Sequence, residues 1–591
     1  MPPILYDAME ASAVWQPTGS DPAEETVAPV AARTERLPLP VVGLGIAFLV
    51  LYAFTLTHWY TFDTVSYATS IRRAELSGDA GWLFHPHHLL FNAMGLLVHQ
   101  VLCLFVPDTL TITAVQVFTA TMGAFGLGVF ALWLYEETRC LWTALTGAAA
   151  LGGTFGWWFA STDGRANLAG TAVVLLVLWA LRRARRATFP DRWCAFAGGF
   201  LGFACLLHQS HGLFLPVALL AALFLPAASW QSRARRAILL AGVFVLTIGV
   251  PYVIVAVAVK GFRTQAEVVY WLTTYGQQGT WWNFDIGRNV VKDGGALYKL
   301  FTGQNVVYGP EGAVVRGNAW GNAAAGLWAF LWGVALFGGL RGAWRRKPGF
   351  VAAPLLALVI YSAFFTVWDP GHFVFWFAQG AFLMALIALG WREGVRRPGL
   401  RMALSGCVVV LAGLTYAGAI VTRTDAESNP HLRLARSLQD VADLRGLVIA
   451  SGMGSAAEAE VYVPYFSRMQ VVALHRHWAI AGGDSARATA SVRALIDRVL
   501  ARGNSVFLLG EATHDPAGLR AMERRFGVKQ SQIAAVFDPY ERLPVEQVDG
   551  AKVFRLYPRP PAPPVRQTPP APPARPSRRY RRSRPTVCRP R

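Results

Sequence analysis

Charge is scarce in this 591-residue chain: 15% of residues are charged, against about 25% in a typical soluble domain. With 54% hydrophobic residues and a mean hydropathy of +0.35, that scarcity excludes an ordinary soluble enzyme. Cysteine is nearly absent where it would matter. Cys103, Cys140, Cys194, Cys205 and Cys407 lie in or beside apolar segments, and Cys588 lies in the last few residues. The polar stretch before that tail holds none, so a disulfide framework and a CxxC metal site are both excluded. Acids are missing from Arg559–Arg591, which carries ten arginines and supplies half of the net charge of +20. Much of the remaining excess sits in short loops, where it orients membrane segments. The positive balance is therefore no nucleic-acid footprint, and no nucleic-acid partner is expected. No cleavable leader is expected either, because the first apolar run, near Val41, is long enough to span.

What the chain has in abundance is long apolar runs. They predict about eleven spans, near 39–57, 110–134, 141–160, 166–181, 193–207, 212–228, 237–258, 322–340, 350–367, 373–391 and 401–421. Arginine clusters recur at 182–192, 233–236, 341–347 and 392–401. An even number of spans separates each cluster from the next, which puts them all on the cytoplasmic face. Arg33 and Arg36 join that face only if residues 87–106 do not fully cross. That segment is read as interfacial or re-entrant, the alternative being a full span with an external N-terminus. The fold class is thus mainly α, a polytopic helical membrane protein with a small C-terminal α/β soluble domain. Residues 1–37 read as a disordered segment, 38–424 as the transmembrane domain, 425–557 as an extracytoplasmic α/β domain and 558–591 as a disordered Pro/Arg-rich tail. The Ala/Arg/Gly-rich usage indicates a bacterial inner membrane.

Ionisable residues gather at the outer ends of these spans, where they are costly and mark function. Asp63 follows the first span and can take a proton from an attacking hydroxyl or amine; the plain alternative is a helix cap. His85-Pro86-His87-His88 follows, with Arg72 and Arg73 before it. Protonated imidazoles or guanidiniums there can hold phosphate; zinc ligation and a headgroup anchor are the alternatives. Asp163 and Arg165 lie in a later outer loop and can bring a second carboxylate and a guanidinium towards Asp63, or form an ordinary turn. His208 and His211 suit phosphate or sugar hydroxyls, or a headgroup anchor. Asp369 and His372 repeat an acid plus histidine at a helix mouth. The segment 260–321 is long for a connection and carries Tyr270, Trp271, Tyr275, Trp281 and Trp282 with Gln277, Gln278 and Asn283. It reads equally as a sugar-binding loop and as an interfacial aromatic belt. Gly452-Met453-Gly454 after a predicted strand is a partial dinucleotide fingerprint. The acid that should follow the next strand is missing, since that strand ends at His475, so a nucleotide is not expected.

These residues resemble the GT-C superfamily of integral-membrane glycosyltransferases. Phe62-Asp63-Thr64 is similar to that family's acidic outer loop, His85-Pro86-His87-His88-Leu89-Leu90 to its polar–proline element, and Thr162-Asp163-Gly164-Arg165 to its second outer motif. The resemblance spans residues 40–390 as architecture. It implies a donor in which a sugar is linked to polyprenyl phosphate, and a glycan, lipid or protein acceptor outside the cytoplasm. It implies Asp63 as general base or acceptor-positioning carboxylate, Asp163 as second acid, and His85 and Arg165 on donor phosphate. His88, Arg72, His208 and His211 join the candidate phosphate set; Trp271, Trp281, Trp282, Asp369 and His372 form a candidate substrate loop. Asp63 lacks the neighbouring acid found in some members, so no metal site is assigned, although a divalent metal stays open. Two other classes compete: a lipid or glycan transporter or flippase, and a non-catalytic envelope-assembly protein. Charges at span ends rather than at the midplane weigh against transport.

Overall fold

The apolar runs become helices, and the polar breaks between them become the turns that gather the ionisable groups. The computed structural model describes residues 38–559 except 228, 278–280, 310–311, 347, 442–444, 454–456, 547 and 549–551. The stretches 1–37 and 560–591, read from sequence as disordered, lie outside the described residues.

The membrane part begins with α1 (Leu39–Phe54), α2 (Phe62–Ser77), α3 (Phe91–Cys103) and α4 (Thr111–Thr138). It continues with α5 (Leu141–Gly152), α6 (Phe155–Asp163), α7 (Ala166–Ala184), α8 (Pro190–Leu207), α9 (Leu215–Leu223) and α10 (Trp230–Ile254). Then come α11 (Gln265–Gln277), α12 (Ile286–Thr302), a hairpin of β1 (Asn305–Gly309) and β2 (Gly312–Arg316), and α13 (Ala319–Ala335). It closes with α14 (Arg341–Arg346), α15 (Pro348–Val367), α16 (Phe377–Gly394), α17 (Pro398–Thr415) and α18 (Val421–Thr424). The stretches read as spans fall on helices, but 141–160 is two helices, α5 and α6, broken at Gly153 and Thr154. Among the described residues, six helices are long and apolar enough to cross a membrane, and five shorter apolar helices accompany them. This is a multi-pass membrane protein.

One shorter helix is α3, with 13 residues. At 1.5 Å per residue it reaches about 20 Å, short of the roughly 30 Å hydrocarbon core. Small residues bring helices into close contact: a Cβ on Gly390 would lie 2.5 Å from the Ala335 carbonyl oxygen. On the face read as cytoplasmic, Glu137 and Glu136 at the end of α4 pair with Arg182 at 2.7 Å and Arg183 at 2.5 Å.

The C-terminal part follows α19 (Pro430–Val441) as an α/β unit. Its sheet has the order β4-β3-β5-β7-β6. Strands β3 (Leu447–Ala450), β4 (Gln470–Ala473) and β5 (Val506–Leu509) run parallel; β6 (Tyr540–Pro544) and β7 (Val553–Pro558) are antiparallel additions. β3 and β5 are apolar throughout and buried on both faces, the pattern expected of parallel strands covered by helices. One face packs on α22 (Ser485–Ala501) and α24 (Pro516–Phe526) through Val492, Ile496 and Met522. The other packs on α20 (Ala459–Tyr462) and α19, and reaches Val65, Ala68 and Ile112 of the membrane part. The strands read from sequence at 447–450 and 505–509, and the helix at 486–502, are present within a residue or two. Strand β7 runs through Pro558, one residue into the stretch read as tail.

Candidate active site

The loop between α1 and α2 is pinned before any chemistry begins. Gln116, buried in α4, donates from Nε2 to the carbonyls of Thr57 and Thr162, both at 2.7 Å. His58 N–H donates to the Arg423 carbonyl at 2.7 Å. Two turns a hundred residues apart, and the end of α18, are thereby held side by side.

Asp63 lies in the first turn of α2, where the helix dipole favours a carboxylate. It is not the cap: Thr61 holds that position, and no side chain caps this helix. Asp163 ends α6, Gly164 turns the chain at φ +107°, and Arg165 opens α7. Arg165 donates from Nη1 to Asp63 Oδ2 at 2.5 Å, and its Nε lies 3.0 Å from Asp163 Oδ2. Asp163 also accepts from the Thr61 N–H at 3.0 Å and the Thr61 hydroxyl at 2.6 Å. Its side chain is fully buried, whereas Asp63 keeps 48% of its side chain exposed. The guanidinium thus bridges one saturated carboxylate and one carboxylate that still faces the solvent side.

The histidine run forms a short turn at Pro86–His88. The His85 and His88 rings stack at 4.6 Å, His88 meets Tyr67 edge-on at 4.6 Å, and Gln209 Nε2 lies 2.7 Å from His87 Nδ1. Burial, then the charge of Lys260, holds His85 down to about 4 against the opposing pull of Asp63. Burial, then His85, holds His87 near 4 as well. The expectation of protonated imidazoles is therefore corrected: at neutral pH these rings offer neutral hydrogen bonds, because the turn is too buried to carry charge. Among the described residues no three His, Cys, Asp or Glu side chains gather to hold a metal ion. The two acids nearest to that role already face Arg165.

Other candidates disperse. Arg72 donates to the Tyr465 carbonyl at 3.0 Å and lies over its ring, so it fastens the C-terminal part rather than entering the site. His211 is buried, with its ring nitrogens 3.2 Å from the Tyr361 hydroxyl and 3.1 Å from the Asn167 carbonyl; it stitches helices together. His208 contacts the Ser210 hydroxyl at 2.7 Å and counts His85, His87 and Arg165 among its charged or titratable neighbours. Trp271 packs on Tyr252 and Phe262 beside the histidine turn. Trp282 meets Trp368 at 4.8 Å, the Trp281 carbonyl accepts from Asp369 N–H at 2.8 Å, and Asp369 holds His372 at 2.7 Å. Trp281, Trp282, Asp369 and His372 form one rim. Gln278 lies outside the described residues, as does part of the glycine motif at 454.

The structure adds cations that sequence reading missed. Lys299, on α12, places Nζ 4.4 Å from the Phe373 ring centre. The Arg423 guanidinium lies 4.9 Å from the Phe155 ring centre and 5.9 Å from that of Phe159. Lys299 has Arg423 and Arg165 as charged neighbours and Arg423 has Asp163, and among the described residues neither cation forms an ion pair with a carboxylate. Burial, reinforced by Arg423 and Arg165, holds Lys299 down to about 8. Two half-buried cations resting on aromatic faces, neither in an ion pair, are a candidate anion site. Only the long, aromatic-rich 260–321 segment gave a hint of it, since Lys299 has no motif around it.

No protein-family model matches the chain, and no curated protein sequence matches it. Among solved structures, the fold is similar to that of ArnT from Cupriavidus metallidurans bound to undecaprenyl phosphate. The TM-score is 0.53 at 13% identity, over 88% of this chain and 97% of that one. ArnT in the apo state gives the same TM-score at 14% identity, over 88% and 98% of the two chains. The Archaeoglobus fulgidus oligosaccharyltransferase gives 0.45 at 12% identity, over 85% and 72% of the two chains. The fold expected from the resemblance is the fold found.

Proposed function

We propose that this chain is a membrane glycosyltransferase. It moves a sugar from a polyprenyl-phosphate donor to an extracytoplasmic glycan, lipid or protein acceptor, with inversion. The observation that carries this reading is the Asp63–Arg165–Asp163 bridge set beside two half-buried cations that form no ion pair among the described residues, Lys299 and Arg423. A donor of this class carries a phosphate on its anomeric carbon, so the leaving group is already an anion and no nucleotide is needed. Arg165, Lys299 and Arg423 would receive that phosphate as the bond to the sugar breaks, which is where fixed positive charge accelerates reaction most. Asp63, with an oxygen left over from Arg165, would hold the acceptor in line. Asp163 would fix Arg165. His85 and His208 would supply neutral hydrogen bonds. The rim of Trp281, Trp282, Asp369 and His372, with Trp271 behind the histidine turn, would border the cavity and exclude water. The fold shared with a protein solved with undecaprenyl phosphate supports a polyprenyl-phosphate donor. The basic loops support a bacterial plasma membrane with residues 425–557 outside.

The test is donor turnover. Purified protein in lipid receives a panel of radiolabelled polyprenyl-phosphate sugars, wild type beside Asp63→Asn. Transfer or release of label by wild type, reduced at least about a hundredfold in the variant with the fold retained, is expected. Donor binding without turnover by wild type would move the chain to the transporter class.

A further inference from the structure

We infer that the C-terminal domain completes the active site by supplying Glu458 as the group that takes the acceptor's proton. This rests on the transferase reading above. Neither bridged aspartate suits the task. Asp163 is fully buried, with its oxygens committed to Thr61 and Arg165. Asp63 gives an oxygen to the same guanidinium at 2.5 Å.

Glu458 immediately precedes α20, and Tyr462 N–H donates to its carbonyl at 3.0 Å. Residues four apart on a helix share a face. Tyr462 reaches towards the membrane part: its hydroxyl donates to the Tyr60 carbonyl at 2.5 Å, three residues before Asp63, and accepts from Asn429 Nδ2 at 3.0 Å. The Tyr60 ring stacks on Phe466 at 5.7 Å, closing the same contact from the other side. Glu458, one turn before Tyr462, therefore lies at the end of α20 that docks at the mouth of the Asp63 turn. The charged neighbours of Glu458 are Arg165 and Asp163 of the α6–α7 turn, Asp63 of α2 and His372 of the rim. Among the described residues its carboxylate has no hydrogen bond and no ion pair. Burial pushes its carboxyl above the usual range, and Asp63 and Asp163 push the same way against Arg165. That moves it towards the pH at which a base works.

The step balances without a further reactant. The acceptor O–H proton passes to the Glu458 carboxylate and the acceptor oxygen bonds to the anomeric carbon. The bond from that carbon to the phosphate oxygen breaks, and the lipid phosphate leaves with its electron pair towards Arg165, Lys299 and Arg423. Loss of that proton to solvent regenerates the Glu458 carboxylate once the product departs.

The experiment compares full-length wild type, Glu458→Gln, Glu458→Asp and Glu458→Ala in lipid with the donor that wild type uses. Donor binding and the pH dependence of turnover are both read. Expected are a loss of about a hundredfold or more in Glu458→Gln with donor binding kept, and partial activity in Glu458→Asp. Wild type is expected to show an acid limb that Glu458→Gln lacks, and formate or azide to restore part of the Glu458→Ala rate. An acid limb that survives in Glu458→Gln, or turnover within a few-fold of wild type, overturns the inference while leaving the transferase standing. Loss of donor binding in both Glu458→Gln and Glu458→Asp assigns Glu458 to packing and overturns it too. Failure of wild type with every donor overturns the transferase reading itself, and this inference with it.

Discussion

Lys299 shows how burial tunes a single group. Its ammonium sits against Phe373 with Arg423 and Arg165 nearby, and burial with those charges holds it to about 8. A lysine with a lowered pKa is charged below that pH and neutral above it, so its pull on an anion is lost as pH rises. A sugar-phosphate diester does not titrate in this range. Donor affinity is therefore expected to weaken as pH passes through about 8, by up to about tenfold per unit. Lys299→Met should bind more weakly at pH 7 and lose that slope. Equilibrium binding from pH 6.5 to 9.5, marked at roughly half-unit steps, checks both. A wild-type curve that stays flat would remove Lys299 from the phosphate site.

At the scale of elements, the decisive feature is the turn between α6 and α7. Gly164 takes φ +107°, and a Cβ there would lie 2.8 Å from Val115 Cγ1 and 2.9 Å from Thr64 Cγ2. The reversal puts Asp163 at one helix end and Arg165 at the next helix start, so Asp163 meets Thr61 before α2 and Arg165 meets Asp63 in its first turn. Gly164→Ala must shift this turn or strain it, at a cost of roughly 1–2 kcal/mol from the backbone alone. Turnover is expected to fall about tenfold or more, because a misplacement near 1 Å at reacting groups is costly. Thermal unfolding in detergent should fall by a few degrees. Wild-type kinetics in Gly164→Ala would show that the bridge tolerates movement.

At the scale of the whole molecule, the C-terminal part is seated on the membrane part by polar contacts as well as apolar ones. The buried Tyr465 hydroxyl accepts from Ile112 N–H at 3.0 Å and lies 2.9 Å from the Thr111 hydroxyl, while Arg72 holds its carbonyl. Tyr465→Phe leaves a buried N–H without a partner, a cost of about 1–3 kcal/mol. Faster hydrogen exchange is expected across residues 459–467, by roughly tenfold or more. If Glu458 serves the site, turnover should fall while donor binding holds. Unchanged exchange would mean that the apolar contacts of Val65, Ala68 and Ile112 suffice for docking.

The sequence alone determined the helical membrane architecture, the placing of strands near 447–450 and 506–509, and the loops between spans in which ionisable groups collect. Each of these follows from local composition. Transferring an apolar run out of water has one sign wherever the run goes, and a short buried strand needs only its own side chains to be recognised. Tertiary structure decided which of those groups meet. Arg165 bridges Asp63 and Asp163 because Gln116 and Thr61 hold two distant turns together. Arg72 and His211, equal candidates by type and position, are taken by Tyr465, Tyr361 and Asn167. Lys299, Arg423 and Glu458 enter from segments without a motif. The histidines lose their charge to burial, which a linear pattern does not record. Partners more than a hundred residues apart are chosen by packing, and packing is a property of the folded chain.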